Sequence, residues 1–456
     1  MKMLKIKNMF EKILIKKLSV VALFGLLISP FLGEAQSQKE PYLVDLPKAI
    51  EIGLSESPTV KIAERNILVK QYYKKEQIVG LFPSVSLAAS YNATLKKQKL
   101  VLDFGMGGPT EIEMGSDNSY NAGANLYLPI IMPTLWNSIK LTQLDVELTM
   151  EKARSSKIEL RNQIKKAYYS YLMIQESYNV LLANYENTVQ NNKIIADKFS
   201  QGLVSEFEKL RADVQLENQK PNLIATKNAI ELSKKLLKML MGVDINEPIV
   251  FVGNLVDFES EMNTKAVPVK EALSLMNNSD LKQVDISIQQ LHRTKALLLS
   301  SSLPTLTMTG LYQYASQAND FDFANYNWFP YSMVGFSLQI PLVSWVGTSY
   351  KIKQTQLNIQ NLQDTKQTLE RSMWINVYTN IDNIDKAIEN HISAKETLKM
   401  AQRAYDIAKK QYEIGMSTWL DLNNAELALT RSQLQFLQSI HDYLSAYSDL
   451  EKILGN

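Results

Sequence analysis

The 456-residue sequence has no cysteine and three histidines. Without cysteine there is no disulfide, no thiolate metal site, no cysteine nucleophile and no lipid carried on an N-terminal cysteine. His292, His391 and His441 lie in separate segments, and none has a carboxylate or second histidine four residues on. His391 falls on a heptad position and is expected to pack. After residue 35 no segment offers ~18 uninterrupted apolar residues, so no membrane-spanning helix is expected. Neither charge sign dominates, with 49 Lys and Arg against 47 Asp and Glu, which leaves no electrostatic footprint for nucleic acid. The Gly-rich "GMGGP" at 105–109 is followed by neither Gly-Lys-Ser/Thr nor a helix, so it is not a phosphate loop. No catalytic constellation and no cofactor or metal site can be read, so an enzyme has no residue support.

The chain opens with a basic lead, Lys2, Lys5, Lys7, Lys12, Lys16 and Lys17, then an apolar run at 18–28 and small residues Gly33 and Ala35. This reads as an export signal cut after Ala35. The alternative is an amphipathic anchor helix. Removing residues 1–35 would bring the formal charge from +2 to −2.

The rest of the chain repeats one plan. "LFPSVSLAASYNA" (81–93) matches "SLPTLTMTGLYQY" (302–314), pairing Pro83 with Pro304 and Tyr91 with Tyr312. "FSQGLVSEFEKLRA" (199–212) matches "YEIGMSTWLDLNNA" (412–425), pairing Gly202 with Gly415 and Ala212 with Ala425, and both copies end in a similar stop, "LMG" at 240–242 and "ILG" at 453–455. A tandem duplication follows. The domains read from it are a signal at 1–35, a first repeat at 36–250, a linker at 251–267 and a second repeat at 268–456. Each repeat reads helix, strand, loop, strand, long helix, tight turn, helix. The first helix is expected from near Asp45 to the break at Pro83, a long helix over 135–199 and a last one over 205–241. The long helices carry heptads: Tyr171, Tyr178, Tyr185, Asn192 and Phe199 in one, and Ile384, His391, Leu398, Tyr405 and Tyr412 at the same register 213 residues on, beside an alanine row at 387, 394, 401 and 408.

Residues 84–95 alternate Val85, Leu87, Ala89, Tyr91 against Ser84, Ser86, Ser90, Asn92, the period of a strand with one apolar and one wet face. Four such strands, near 84–95, 120–128, 305–314 and 332–341, match the ~9–11 residues that cross a bilayer at a tilt. Four strands cannot close a barrel, and an open edge in lipid leaves backbone groups without partners, so inserted chains must oligomerise. Trp136, Trp345, Trp328 and Tyr331 lie beside the strands and fit aromatic belts at the membrane interfaces. The tip segments 96–118 and 315–329 read as polar loops. A soluble hairpin packed on helices is the competing reading.

This order of elements, doubled, with tight Gly turns before a Ser- or Thr-capped helix, resembles the TolC family of outer-membrane efflux proteins over residues 41–456. The resemblance implies an α-helical plus membrane β-barrel fold: a homotrimer giving four strands per protomer to a 12-stranded outer-membrane barrel, continuous with a periplasmic α-helical barrel. It implies an exit duct in the outer membrane of a Gram-negative bacterium. The duct would work with a periplasmic adaptor and an inner-membrane transporter of RND, ABC or MFS type, passing drugs or other small molecules. A type I protein-secretion duct of the same family is the alternative. From another class, an exported coiled-coil scaffold or adhesin would share the signal and heptads. By resemblance, Gly202, Leu203, Val204, Ser205, Gly415, Met416, Ser417 and Thr418 meet the adaptor. Tyr412, Ser417, Asp421, Asn424, Phe207 and Glu208 stand at gate positions. Ser417 stands where the best-known member has an arginine and Asn424 where it has an aspartate, a departure from the closing salt-bridge network that the resemblance implies. Ser205-x-x-Glu208 and Thr418-x-x-Asp421 also read as capping boxes, a role compatible with a gate.

Overall fold

A computed structural model describes residues 42–102, 110–264, 273–342 and 345–456. The export signal, the "GMGGP" loop, and residues 268–272 at the start of the second repeat lie outside the described residues. Two compact units are formed. The described part of one is 42–43 with 248–250; the other is Val44–Glu247 with Phe251–Asn456. Strand β1 (Tyr42–Val44) opens the chain. Helix α1 (Leu46–Glu56) follows, capped by Asp45, whose carboxylate accepts from Lys48 N at 2.9 Å. The single first helix expected from the sequence is in fact two. Pro58 pushes Ser57 to an extended ψ of 128°, as a residue before proline prefers, and α2 (Pro58–Val79) starts afresh.

After Pro83 come β2 (Ser84–Ala93), β3 (Gln98–Leu102), β4 (Thr110–Met114) and β5 (Asn118–Ile131). The 96–118 segment is therefore a small antiparallel hairpin rather than a plain loop, with Leu100 opposite Ile112 and Val101 opposite Glu111. Helix α3 (Pro133–Ser200) and α4 (Glu206–Met241) complete the repeat. The link carries β6 (Ile249–Phe251), a single 3₁₀ turn and α5 (Glu259–Thr264). The second repeat gives α6 (Ser279–Ser300), β7 (Thr305–Ala318), β8 (Phe329–Gln339), α7 (Trp345–Glu413) and α8 (Trp419–Leu454). Because β8 begins at Phe329, Tyr331 lies inside the strand and not before it.

Four strands form one antiparallel sheet in the order β2-β5-β7-β8. The register carries the alternation across all of them. Val85, Leu126, Gly310 and Val334 align in one row, and Leu87, Ala124, Tyr312 and Ser332 in the next, on one face. The opposite face carries Ser86, Ser90, Asn121, Asn125, Thr309, Gln313, Ser337 and Gln339, broken by Leu311 and Met333. A slip of one residue in any pair would mix the faces. Among the described residues, β2 and β8 each keep one unpaired edge. Leu87, Val334, Phe336 and Leu338 are exposed on the apolar side.

Helix α3, 68 residues long, spans roughly 100 Å at ~1.5 Å per residue. It packs against α2 and α4 of its own repeat and α6 and α8 of the other, while α7 packs against α6 and α8. The α7 heptad sits where packing needs it, with Ile384, Ala387, Ala394, Tyr405 and Tyr412 buried; of the α3 positions Tyr171 is buried and Phe199, at the tip, is exposed. His391 does more than pack. Its Nδ1 is 3.1 Å from Ser439 Oγ and its Nε2 3.1 Å from Glu259 Oε1, and Lys395 donates to the same Glu259 oxygen at 2.6 Å. The linker acid, distant in sequence, thus ties α5 to α7. No helix among the described residues is long and apolar enough to cross a membrane. Neither long helix holds a glycine or proline beyond its first turn, Pro133 in α3 and Gly347 in α7, whereas α4 carries Pro221 in its interior.

The repeat stops at Gly242 and Gly455 are both left-handed, with φ of 73° and 84°. At Gly242 an added Cβ would lie 2.6 Å from Ser57 Cα and 2.7 Å from the Glu56 carbonyl oxygen, both backbone atoms that cannot swing away. Gly242→Ala should therefore lower the midpoint of thermal unfolding well beyond the ~1–2 kcal/mol of left-handed strain alone. Circular dichroism of the purified chain checks this, and an unchanged midpoint refutes it.

Candidate functional site

The two inter-helix turns come together at the end of the helices remote from the sheet. Each is closed the same way. Gly202 N donates to Phe199 O at 2.9 Å and Leu203 N to Lys198 O at 2.9 Å. Gly415 N donates to Tyr412 O at 3.2 Å and Met416 N to Gln411 O at 2.8 Å. With φ of 72° and 77° at the glycines, these are Schellman stops. Leu203 and Met416 are 68% and 75% exposed, two apolar side chains held in water by adjacent turns. Gly202 and Ser205 are exposed too, and Val204 packs inward on the tip core.

The helices that follow are capped as the sequence suggested, though unequally. Thr418 Oγ1 accepts from Asp421 N at 3.2 Å, and Asp421 Oδ2 accepts from Thr418 N at 3.1 Å and Thr418 Oγ1 at 2.6 Å, a complete box. At Ser205 only half of it forms among the described residues: the serine oxygen accepts from Glu208 N at 3.2 Å. The Thr418 hydrogen bonds hold the exposed Asp421 carboxyl below its usual range. It is therefore ionised above the ordinary carboxylate range. Asn424, one turn further, is exposed as well.

Beneath the turns lies a shared core of Ile195, Ala212, Tyr405, Tyr412, Trp419, Leu422 and Leu429, drawn from both repeats. Two cations of the first repeat sit on its aromatics. Lys198 Nζ is 4.2 Å from the Tyr412 ring centre, and the Arg211 guanidinium is 5.6 Å from both Phe207 and Trp419. Such contacts contribute ~0.5–1 kcal/mol where water reaches them and more where it does not. Tyr412 is buried, and burial first, then the Glu208 charge, raise its phenol. An open cleft of about 490 Å³ runs between the turns, lined by Lys198, Leu203, Glu208, Tyr412, Ser417 and Trp419 among others. Within it the Tyr412 hydroxyl and Ser417 Oγ have no hydrogen-bond partner among the described residues.

The structure thus brings Tyr412, Ser417, Glu208 and the two turns into one place. Asp421 and Asn424 lie on the exposed surface of α8 beside it, and Phe207 is 67% exposed under Arg211. Lys198, Arg211 and Trp419 were not singled out in the sequence. The matching positions of the other repeat hold Gln411, Asn424 and Glu206, so the duplication pointed away from them. At the sheet, Trp136 and Trp345 are exposed in the first turns of α3 and α7. Trp328, Phe323 and Tyr326 each meet the Tyr120 ring at a tilted or edge-on angle, on the apolar face. Tyr331 is opposite Gln313, so the register places it on the polar face, against the expected role as an interface anchor.

Thr418→Ala removes one side of the complete box and should cost about 1 kcal/mol. Ser205→Ala should cost less, because its box is half made. Paired denaturant titrations give the order, and an equal loss contradicts it.

Comparison with known proteins fits this geometry. The sequence profile of the family described as "Outer membrane efflux protein" matches residues 49–243 and 272–456, once in each repeat. Outer membrane protein TolC of Vibrio cholerae serotype O1 is 20% identical over 380 residues, 82% of either chain. Cobalt-zinc-cadmium resistance protein CzcC of Cupriavidus metallidurans is 21% identical over 393 residues, 82% of this chain and 89% of the relative. Among solved structures, the open state of the Neisseria gonorrhoeae MtrE outer membrane channel superposes with a TM-score of 0.72 at 15% identity, covering 90% of this chain and 89% of that one. The fold is therefore that of these outer-membrane channels, and the chain belongs to the outer membrane efflux protein family.

Proposed function

We propose that three copies of this chain close a 12-stranded barrel and form the exit duct of a tripartite efflux system. The observation that carries this reading is the sheet: an apolar face held in register across four bilayer-length strands, with an open edge on each side. Those edges can enter lipid only when paired with those of further copies. The turns around Gly202–Ser205 and Gly415–Thr418 would receive a periplasmic adaptor, with exposed Leu203 and Met416 as apolar anchors. An inner-membrane transporter would choose the cargo. One relative is named for cobalt-zinc-cadmium resistance, yet among the described residues no group of acids and histidines could hold a metal ion, so small molecules as a class are the proposed substrate.

Three Asp421 carboxylates would ring the periplasmic mouth and favour cations. The salt-bridge lock implied by an arginine at position 417 is replaced here by Ser417, and the cation contacts of Lys198 and Arg211 would hold the tip instead.

Two experiments test the reading. In planar bilayers the purified chain should give channels with a cation preference, and Asp421→Ala should raise conductance and weaken that preference; identical traces would dispose of the gate. In cells, Leu87→Lys should cost ~2–4 kcal/mol if the residue faces lipid near the midplane and should empty the outer-membrane fraction. Ser86→Lys, on the other face, should not. Equal behaviour of the two, or release of the wild-type chain by carbonate, would favour a scaffold without a pore.

A further inference from the structure

Glu426 is the only carboxylate among the buried described residues, 5% exposed on α8 two turns beyond the Thr418 cap. Its first-repeat equivalent, 213 residues earlier, is Asp213. There the acid is half in water, and it accepts from Lys209 Nζ at 3.0 Å and Asn192 Nδ2 at 2.9 Å. The positions matching those two partners in the second repeat are Leu422 and Tyr405. The duplication has kept the acid, buried it, and removed both groups that satisfied its charge.

The side chains hydrogen-bonded to the Glu426 carboxyl are neutral. From α3, Asn191 Nδ2 donates to its Oε2 at 3.3 Å and Thr188 Oγ1 lies 3.5 Å from its Oε1. Thr188 has one proton, within reach of the Asn184 carbonyl at 3.0 Å and of Glu426 Oε1 at 3.5 Å, and the carbonyl is the nearer acceptor. The threonine oxygen already accepts from Gln219 Nε2 of α4 at 2.8 Å and has a second lone pair free. A proton on Glu426 Oε1 would fill it. With the carboxyl protonated, each contact has one donor and one acceptor. With it ionised, Thr188 must turn its one proton from the Asn184 carbonyl to a carboxylate oxygen 3.5 Å away. From α7 the facing groups are Tyr405 and Lys409. Burial, then the Glu426 charge, push the Tyr405 phenol up to about 12, so it stays neutral. Lys409 is felt only at a distance: among the described residues no Lys, Arg or His nitrogen lies within 4 Å of the Glu426 carboxylate. On α8 itself Thr430 Oγ1 donates to the Glu426 backbone carbonyl at 3.0 Å.

We propose that Glu426 is a proton-operated latch: protonated, it lets the first turns of α8 pack on α3, and loss of its proton drives α8 outward so that the charge can reach water. Burial raises the carboxyl from 4.5 to about 7, with Asn191, Thr188 and Lys409 pulling it back. A group raised in the packed state favours that state in acid. The contribution is whole below about pH 4.5, falls as pH rises, and is spent above about 7. A single proton changes the ratio of loosened to latched chains by at most about tenfold per pH unit in that window. The latch is a property of the chain; its effect on the mouth rests on the duct reading above.

The two are tested separately. Hydrogen exchange of the full chain in detergent is followed over residues 419–432 at pH 5.5 and 8, corrected for intrinsic exchange. Wild type should lose protection about thirtyfold at pH 8, and Glu426→Gln should be equally protected at both. Glu426→Leu, which fills the site without an ionisable group, should match it, and Asp213→Asn should keep the wild-type response. A pH-dependent loss that persists in both Glu426 variants, or none in wild type, overturns the latch. In bilayers, wild type should open more at pH 8, Glu426→Gln should not respond, and Asp421→Asn should respond as wild type. If no variant conducts, the duct reading fails and the exchange result alone decides the latch.

Discussion

Hydrocarbon offers nothing to a bare backbone N–H or C=O, and this constraint governs the molecule. The sheet gathers most of its apolar residues on one side, with Leu311 and Met333 on the other, so it is built to face lipid, and among the described residues it has two unpaired edges, so it cannot do so alone. The order β2-β5-β7-β8 adds a detail. The two repeats join in the middle, at β5 and β7, and each open edge belongs to a different repeat. A ring of copies therefore alternates first and second repeats, and every new seam between chains pairs the two repeats again.

At the other end the same duplication has been used asymmetrically. Both turns are Schellman stops and both helices begin with a hydroxyl cap, but the side chains around them have diverged. The first repeat supplies cations, Lys198 and Arg211, and the second supplies the rings they sit on, Tyr412 and Trp419. The paired acids Asp213 and Glu426 differ in the same sense, one solvated beside a lysine and one buried among amides. The repeats are thus held together at the tip by groups that neither could supply to itself.

Much of this was legible in the sequence, because it depends on periodicity. The strands announced themselves through alternation at Val85, Leu87 and Ala89, the long helices through heptads at Tyr171 and Ile384, and the turns through Gly202 and Gly415. What was not legible depends on contacts distant along the chain or on register. Tyr331 looked like an interface anchor until its pairing with Gln313 fixed which way it points. The 96–118 hairpin has only five-residue strands, too short for alternation to register against its polar composition. Ser57 bends the first helix because of Pro58, a signal present in the sequence but outweighed by the apolar pattern on both sides. His391 meets Glu259 from a linker 132 residues away, and Glu426 is buried by α3; no local pattern encodes either.

The long helices carry a mechanical consequence. With no glycine or proline past the first turn of α3 or α7, neither has a place to bend. A displacement of either at the end bearing Gly202 and Gly415 would be conveyed along about 100 Å as rotation of a stiff strut to the turns bearing Trp136 and Trp345, beside the sheet. Helix α4, with Pro221 lacking an amide proton in its interior, can absorb strain locally. The compliance of the chain is therefore concentrated in the short helix of the first repeat, while the two continuous struts behave as levers whose far ends rest at the membrane.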